Sequence, residues 1–224
     1  MRAFFMTATG TDIGKTYLAC GLIRAWRRQG LRVTAFKPVL SGFDPAKAAD
    51  SDAGQLLSAL GQPVSPQSLD AISPWCYAAP LSPDAAAAKE GKRVDYEAVL
   101  AASRTFLAGA HDVTLIEGAG GVMAPLSEDR TMLDWMADLN LPVVVVTGSY
   151  LGTLSHSLTA LSVLEARRVP VALVVMNETE GSTVPFSENA LAFSRRWNKA
   201  PMYILPRDAS AQAMAAIAES LLAL

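Results

Sequence analysis

The sequence predicts a single-domain α/β fold, a doubly wound, mainly parallel sheet flanked by helices. Three observations predict it. Short apolar or β-branched runs alternate with Gly-containing turns and helical stretches along the 224 residues. One of these runs, residues 142–146, is apolar without a break, as parallel strands buried on both faces are. Hydrophobic residues make up 51% of the chain and charged residues only 18%, enough for one large interior.

Taken in order, residues 3–7 read as the first strand. Residues 15–29 follow as a helix, with Leu18, Leu22, Ile23 and Trp26 on one face, Arg24, Arg27 and Arg28 toward its solvated end, and Gly30 as a stop. Residues 32–39 read as the second strand. Ser51 caps a helix over 52–60, which Gly61 ends. Residues 62–83 are rich in Pro and Ser, lack periodicity and read mostly as loop. A helix over 96–108 precedes a strand over 113–116. After the strand at 142–146 come a helix over 154–168, a strand over 171–176, a helix near 188–197, a short strand over 202–205 and a C-terminal helix from about Ser210. No repeat, low-complexity tract or linker interrupts the pattern, so residues 1–224 are expected to form one domain.

Composition narrows the function. A net charge of −2 and a pI near 5.7 argue against nucleic acid as an obligate partner. Cys20 and Cys76 read as small core residues, not as a disulfide scaffold or a metal site. The apolar residues 3–6 are too few for a secretory segment, and 141–147 too few to cross a bilayer, so a cytoplasmic protein with no membrane partner is expected. His111 reads as a loop residue and His156 as a helix-face residue.

The chemistry begins at Thr7-Ala8-Thr9-Gly10-Thr11-Asp12-Ile13-Gly14-Lys15-Thr16, between the first strand and the first helix. That is the context a phosphate-binding P-loop requires. Successive backbone N–H groups and a helix N-terminus make a concave positive site for phosphate oxygens. Gly14 lets the backbone come close, Lys15 brings a compact charge to the β- and γ-phosphates, and the Thr16 hydroxyl suits Mg²⁺. The spacing departs from the common one, with Thr9 where Gly is usual and Gly10 one residue late.

Mg²⁺ held by phosphates still needs a carboxylate or two. Glu117 stands at the C-terminal end of a strand, where ligands bind in open α/β sheets, and Gly118-Ala119-Gly120-Gly121 keeps the space beside it clear. Asp52 is the second candidate, with a helix-capping acid as its other reading. Lys37, in Lys37-Pro38-Val39-Leu40-Ser41-Gly42, ends an apolar strand, where its charge needs a partner such as a triphosphate or must reach solvent.

In order and spacing these residues resemble the dethiobiotin synthetase family over nearly the whole chain. The resemblance rests on the loop over 11–16 with its shifted glycine, Lys37-Pro38-Val39-x-Ser41-Gly42, Ser51-Asp52, Pro80-x-Ser82-Pro83, Glu117-Gly118-Ala119-Gly120-Gly121 and Asn177 after a strand. It implies a P-loop NTPase-type fold and an ATP-dependent ring closure of 7,8-diaminononanoate with CO₂ to dethiobiotin, ADP and phosphate, through a carbamate and a carbamic-phosphoric anhydride. It implies Lys15 and Lys37 as catalytic charges, Thr16, Asp52 and Glu117 as Mg²⁺ ligands, and Thr11 and Ser41 as contacts of the diamine or its carbamate. ATP would be held by Asp12, Ile13, Gly14, Lys15, Thr16, Tyr17, Asp52, Glu117, Gly118, Ala119 and Gly120. Asn177 would read the adenine edge, with Glu178, Pro206 and Arg207 beside the base. It further implies a homodimer in which residues 149–155 reach the neighbour's substrate. Ala8, Asp84 and Tyr150 stand where the family usually has Gly, His and Lys. The alternatives are a partitioning-type regulatory ATPase, which usually carries a second lysine early in the loop, a small-molecule kinase, and a non-catalytic nucleotide-binding module. No lysine precedes Lys15 here.

Overall fold

A computed structural model describes residues 2–224. Its centre is a six-stranded sheet of β1 (Arg2–Ala8), β2 (Val33–Phe36), β5 (Val113–Glu117), β6 (Val143–Gly148), β7 (Val171–Asn177) and β8 (Met202–Leu205), in the order β2-β5-β1-β6-β7-β8. Every pairing in it is parallel. Period-two alternation divides the strand side chains between the two faces. Phe4, Met6 and Ala8 of β1 enter one apolar cluster and Phe5 the other, and Val144 and Val146 of β6 are likewise split from Val143 and Val145. The first cluster is closed by α1 (Lys15–Arg28), α2 (Asp52–Leu60), α3 (Pro66–Ile72) and α9 (Ala211–Leu222). The second is closed by α4 (Pro83–Lys89), α5 (Tyr96–Leu107), α6 (Met132–Leu139), α7 (Thr153–Ala166) and α8 (Phe186–Ser194). The doubly wound parallel arrangement expected from sequence is the one observed.

Three local expectations are corrected. The second strand stops at Phe36, not at residue 39. Pro38 has no N–H for the ladder, and the Lys37 N–H donates instead to the Ile72 carbonyl at 2.9 Å. Val39–Ser41 then forms β3, paired in parallel with β4 (Trp75–Tyr77) in a separate two-stranded sheet. The segment 62–83 holds α3 and β4 and is not mostly loop. Pro66 sits in the first turn of α3, and Ser65 and Ser68 cap it reciprocally. Helix α6 has no counterpart in the sequence reading. It starts at a Thr131–Asp134 capping box and buries Met132, Leu133, Trp135 and Met136.

The register of the sheet sets the site. Phe36 pairs with Ile116 and Met6 with Glu117, so the C-terminal ends of β1, β2 and β5 lie side by side. The phosphate loop, Lys37 and Glu117 therefore emerge together at one edge, where doubly wound sheets bind ligands.

Candidate active site

The loop after β1 turns onto α1 through two left-handed residues, Asp12 at φ 57° and Gly14 at φ 90°. A side chain at residue 14 would be strained there, and its Cβ would lie 2.5 Å from Asn177 Nδ2. Helix α1 has no side-chain cap, so its first-turn N–H groups face the cleft free for an anion. The loop over 118–121 packs against it, with the Val122 N–H on the Ala8 carbonyl at 3.0 Å. Lys15 Nζ spans the two loops, donating to the Gly120 carbonyl at 2.9 Å and the Gly10 carbonyl at 3.2 Å.

Lys37, 2% exposed, lies between two carboxylates. Its Nζ is 2.7 Å from Glu117 Oε1 and 2.9 Å from Asp52 Oδ2. The Ser73 hydroxyl fixes the Lys37 carbonyl at 2.7 Å. Glu117 Oε1 also accepts the Thr16 hydroxyl proton at 2.7 Å, while Glu117 Oε2 is buried without a partner. The electrostatics follow from this packing. Burial, and after it the neighbouring Lys37, pulls Lys15 down from 10.5 to about 8. Burial also acts to lower Lys37, but Glu117 and Asp52 outweigh it and hold the ammonium above its usual range. For Asp52 the effect of burial is overcome by Lys37, and its carboxyl lies below the ordinary value.

These groups line one cleft of about 820 Å³. Thr11, Asp12, Gly14, Tyr17, Ala119, Gly120 and Ala124 stand on its phosphate-loop side, and Ser41, Leu40, Pro80 and Leu81 on the other. The Ser41 hydroxyl is buried and unpartnered. Of the residues singled out from sequence, Thr11, Asp12, Gly14, Lys15, Thr16, Tyr17, Lys37, Ser41, Asp52, Ala119 and Gly120 all line this space. Glu117 lies beneath it, tied to Lys37 and Thr16, and the Gly118 carbonyl lies 3.4 Å from Lys37 Nζ. Asn177 approaches from the end of β7, donating its Nδ2 to the Ile13 carbonyl at 2.7 Å and leaving Oδ1 buried and unpartnered. Glu178 and Arg207 do not join the cleft. They line a smaller cavity of about 240 Å³ beside Ser149, where the Arg207 N–H donates to Glu178 Oε2 at 3.1 Å. Pro206, half-buried, precedes Arg207 at the end of β8.

The donor set suits a hard divalent cation. The Thr16 hydroxyl gives its proton to Glu117 and keeps its lone pairs, Glu117 Oε2 has none of its own in use, and the Asp52 carboxylate meets Glu117 across one ammonium. These are oxygen ligands of the kind Mg²⁺ takes beside phosphates. Sequence reasoning missed the apolar lining of Leu40 and Leu81, beside Pro80 and Ser82. It also gave no hint that Asn177 buttresses the phosphate loop, since residues 13 and 177 meet only through the sheet order.

A family model described as an AAA domain matches residues 2–215. The chain is 46% identical over 225 residues to the ATP-dependent dethiobiotin synthetase of Phenylobacterium zucineum (strain HLK1), covering 100% of this chain and 96% of that protein. It is 44% identical over 202 residues to the same-named protein of Acidiphilium cryptum (strain JF-5), covering 90% and 91%. Among solved structures, the MinD cell division protein of Aquifex aeolicus superposes at a TM-score of 0.59 with 13% identity, covering 100% of this chain and 98% of that one. Cobyrinic acid a,c-diamide synthase from Mycobacterium smegmatis, with bound ATP analog and magnesium, superposes at 0.57 with 17% identity over 99% and 94%. At these identities the two structures speak for the fold alone.

Proposed function

The chain belongs to the ATP-dependent dethiobiotin synthetase family, and from that membership we propose that it joins 7,8-diaminononanoate and CO₂ into dethiobiotin at the expense of ATP. It is an ATP-dependent ligase of biotin synthesis. The observation that carries the reading is that one cleft holds both a phosphate loop and, facing it, a lysine and an unpartnered serine hydroxyl.

One amine of the substrate adds to CO₂, loses its proton and becomes a carbamate. A carbamate oxygen attacks the γ-phosphorus, ADP leaves, and a carbamic-phosphoric anhydride forms. The second amine then attacks the carbonyl carbon, and phosphate departs with the bridging oxygen as the cyclic urea closes. Lys15, on the phosphate side, holds the β- and γ-phosphate charge, and Lys37 stabilises carbamate and phosphoryl oxygens as they meet. Thr11 and Ser41 orient the diamine. Thr16, Asp52 and Glu117 would hold Mg²⁺, which would supply positive charge to the phosphate oxygens. Asp12, Ile13, Gly14, Tyr17, Gly118, Ala119 and Gly120 enclose the triphosphate. Asn177 offers Oδ1 to the adenine amine, with Glu178, Pro206 and Arg207 alongside the base.

The whole chain serves as one catalytic domain, and two copies associate. Leu151, 80% exposed in the loop before α7, is the kind of apolar side chain such a contact covers. Among the described residues no helix is long and apolar enough to cross a membrane, consistent with an enzyme of the cytoplasm. Incubation with diaminononanoate, bicarbonate and MgATP, followed by mass spectrometry, should yield dethiobiotin and ADP in equal amounts. A regulatory ATPase would release ADP with no ring product, and a kinase would leave phosphate on the diamine.

A further inference from the structure

We propose that Lys37 is the resident counter-ion of the Asp52–Glu117 pair in the ligand-free protein, and that metal arriving with the triphosphate displaces its ammonium into the cleft. This rests on the proposed reading, which places Mg²⁺ on the same two carboxylates. Three observations carry it. Lys37 Nζ bridges Glu117 Oε1 at 2.7 Å and Asp52 Oδ2 at 2.9 Å, so it already neutralises one oxygen of each carboxylate that a cation between Thr16, Asp52 and Glu117 would approach. Glu117 Oε1 already accepts two protons, from Lys37 and from Thr16 at 2.7 Å, and has no lone pair to spare. The ammonium has no other strong partner, since its third contact, the Gly118 carbonyl, lies at 3.4 Å.

Two cations held side by side on one carboxylate pair, with Glu117 and Lys37 both buried, repel each other strongly. The carboxylate pair therefore holds either the lysine or the metal. While ligand-free, the pair holds the Lys37 ammonium on its own oxygens. Metal loading releases the long, flexible side chain toward the reacting oxygens. The catalytic charge is thus delivered only once the nucleotide and its metal have arrived. Lys15, which bonds two carbonyls and neither carboxylate, takes no part in the exchange.

The test is nucleotide-free binding of Mn²⁺, followed by electron paramagnetic resonance, to wild type, Lys37→Met, Lys37→Arg and Lys15→Met. Lys37→Met should bind Mn²⁺ at least about tenfold more tightly than wild type, a gain of about 1.4 kcal/mol. Lys37→Arg should bind as weakly as wild type, and Lys15→Met should gain much less than Lys37→Met. If Lys37→Met is poorly folded alone, Mn²⁺ without nucleotide should restore its cooperative thermal transition while moving that of wild type little. In wild type, Mg²⁺ with a non-hydrolysable ATP analogue should shift the Lys37 ζ-nitrogen resonance. An unshifted resonance, no tightening in Lys37→Met, or equal tightening in Lys15→Met would overturn the displacement. A wild-type product assay run beside these measurements tests the dethiobiotin reading separately, because the cation exchange needs no diamine.

Discussion

Lys37→Gln is expected to bind MgATP within about tenfold of wild type, about 1.4 kcal/mol, and to form almost no dethiobiotin. The ammonium is held by Glu117 and Asp52 and donates no hydrogen bond to the head of α1, where the triphosphate would anchor. In the proposed reaction its charge is needed most as carbamate and γ-phosphate approach, an interaction made mainly in the transition state. Lys37→Arg should also be poor, because a planar guanidinium keeps the charge but cannot bring lysine's compact, flexible ammonium to the reacting oxygens. Removing the charge leaves the buried Glu117 carboxylate without its counter-ion beside the partly exposed Asp52, a cost on the order of 3 kcal/mol. A lowered unfolding temperature should therefore accompany the variant. Calorimetric binding of a non-hydrolysable ATP analogue beside a product assay separates the effects. Dethiobiotin formed at the normal rate would remove Lys37 from the chemistry.

Lys15→Ala should abolish turnover, a loss of several kcal/mol of transition-state stabilisation, without unfolding the protein. Its stability should hold or rise. The fold lowers this lysine from 10.5 to about 8, so at neutral pH the buried charge opposes folding by ~3 kcal/mol. The sign gives a second readout. Between pH 8 and 10.5 the unfolded chain holds the Lys15 proton that the folded chain has lost, so stability rises with pH across that window. Nucleotide binding runs the other way, because the charge that meets phosphate is present below about pH 8 and lost above it. Wild-type affinity for ADP should fall from pH 7.5 to 9.5, whereas Lys15→Ala should bind weakly with little dependence on pH. A variant with near-normal turnover, or with a wild-type pH profile for binding, would place the phosphate charge elsewhere.

Much of this was legible in the residues themselves. The unbroken apolar runs at Phe4-Phe5-Met6 and 142–146, Gly14-Lys15-Thr16 before an apolar helix face, and Ser51 with Gly61 around α2 are local signals, and local geometry obeys them. Two further features also carry local signals. Pro38 announces the end of β2, and Thr131-x-x-Asp134 before an apolar run announces α6. Helix α3 was harder, since its capping box uses Ser68 in place of the usual Glu or Gln. The pairing of Lys37 with Asp52 and Glu117 was not legible. Residue 117 is 80 positions away in the chain, and only the β2–β5 register, with Phe36 beside Ile116, brings them together. The same holds for Asn177 and Ile13, 164 positions apart.

The central claim is that a carbamate oxygen attacks the γ-phosphate and that ring closure expels it with the phosphate. The most direct measurement follows oxygen from CO₂ labelled with heavy oxygen at both positions, mixed with enzyme, diaminononanoate and MgATP and analysed by mass spectrometry before exchange with water. The account predicts one heavy oxygen in the ring carbonyl of dethiobiotin and the other in the released phosphate. Unlabelled phosphate beside labelled dethiobiotin would contradict it, because the γ-phosphoryl group would then have gone to water and not to the carbamate.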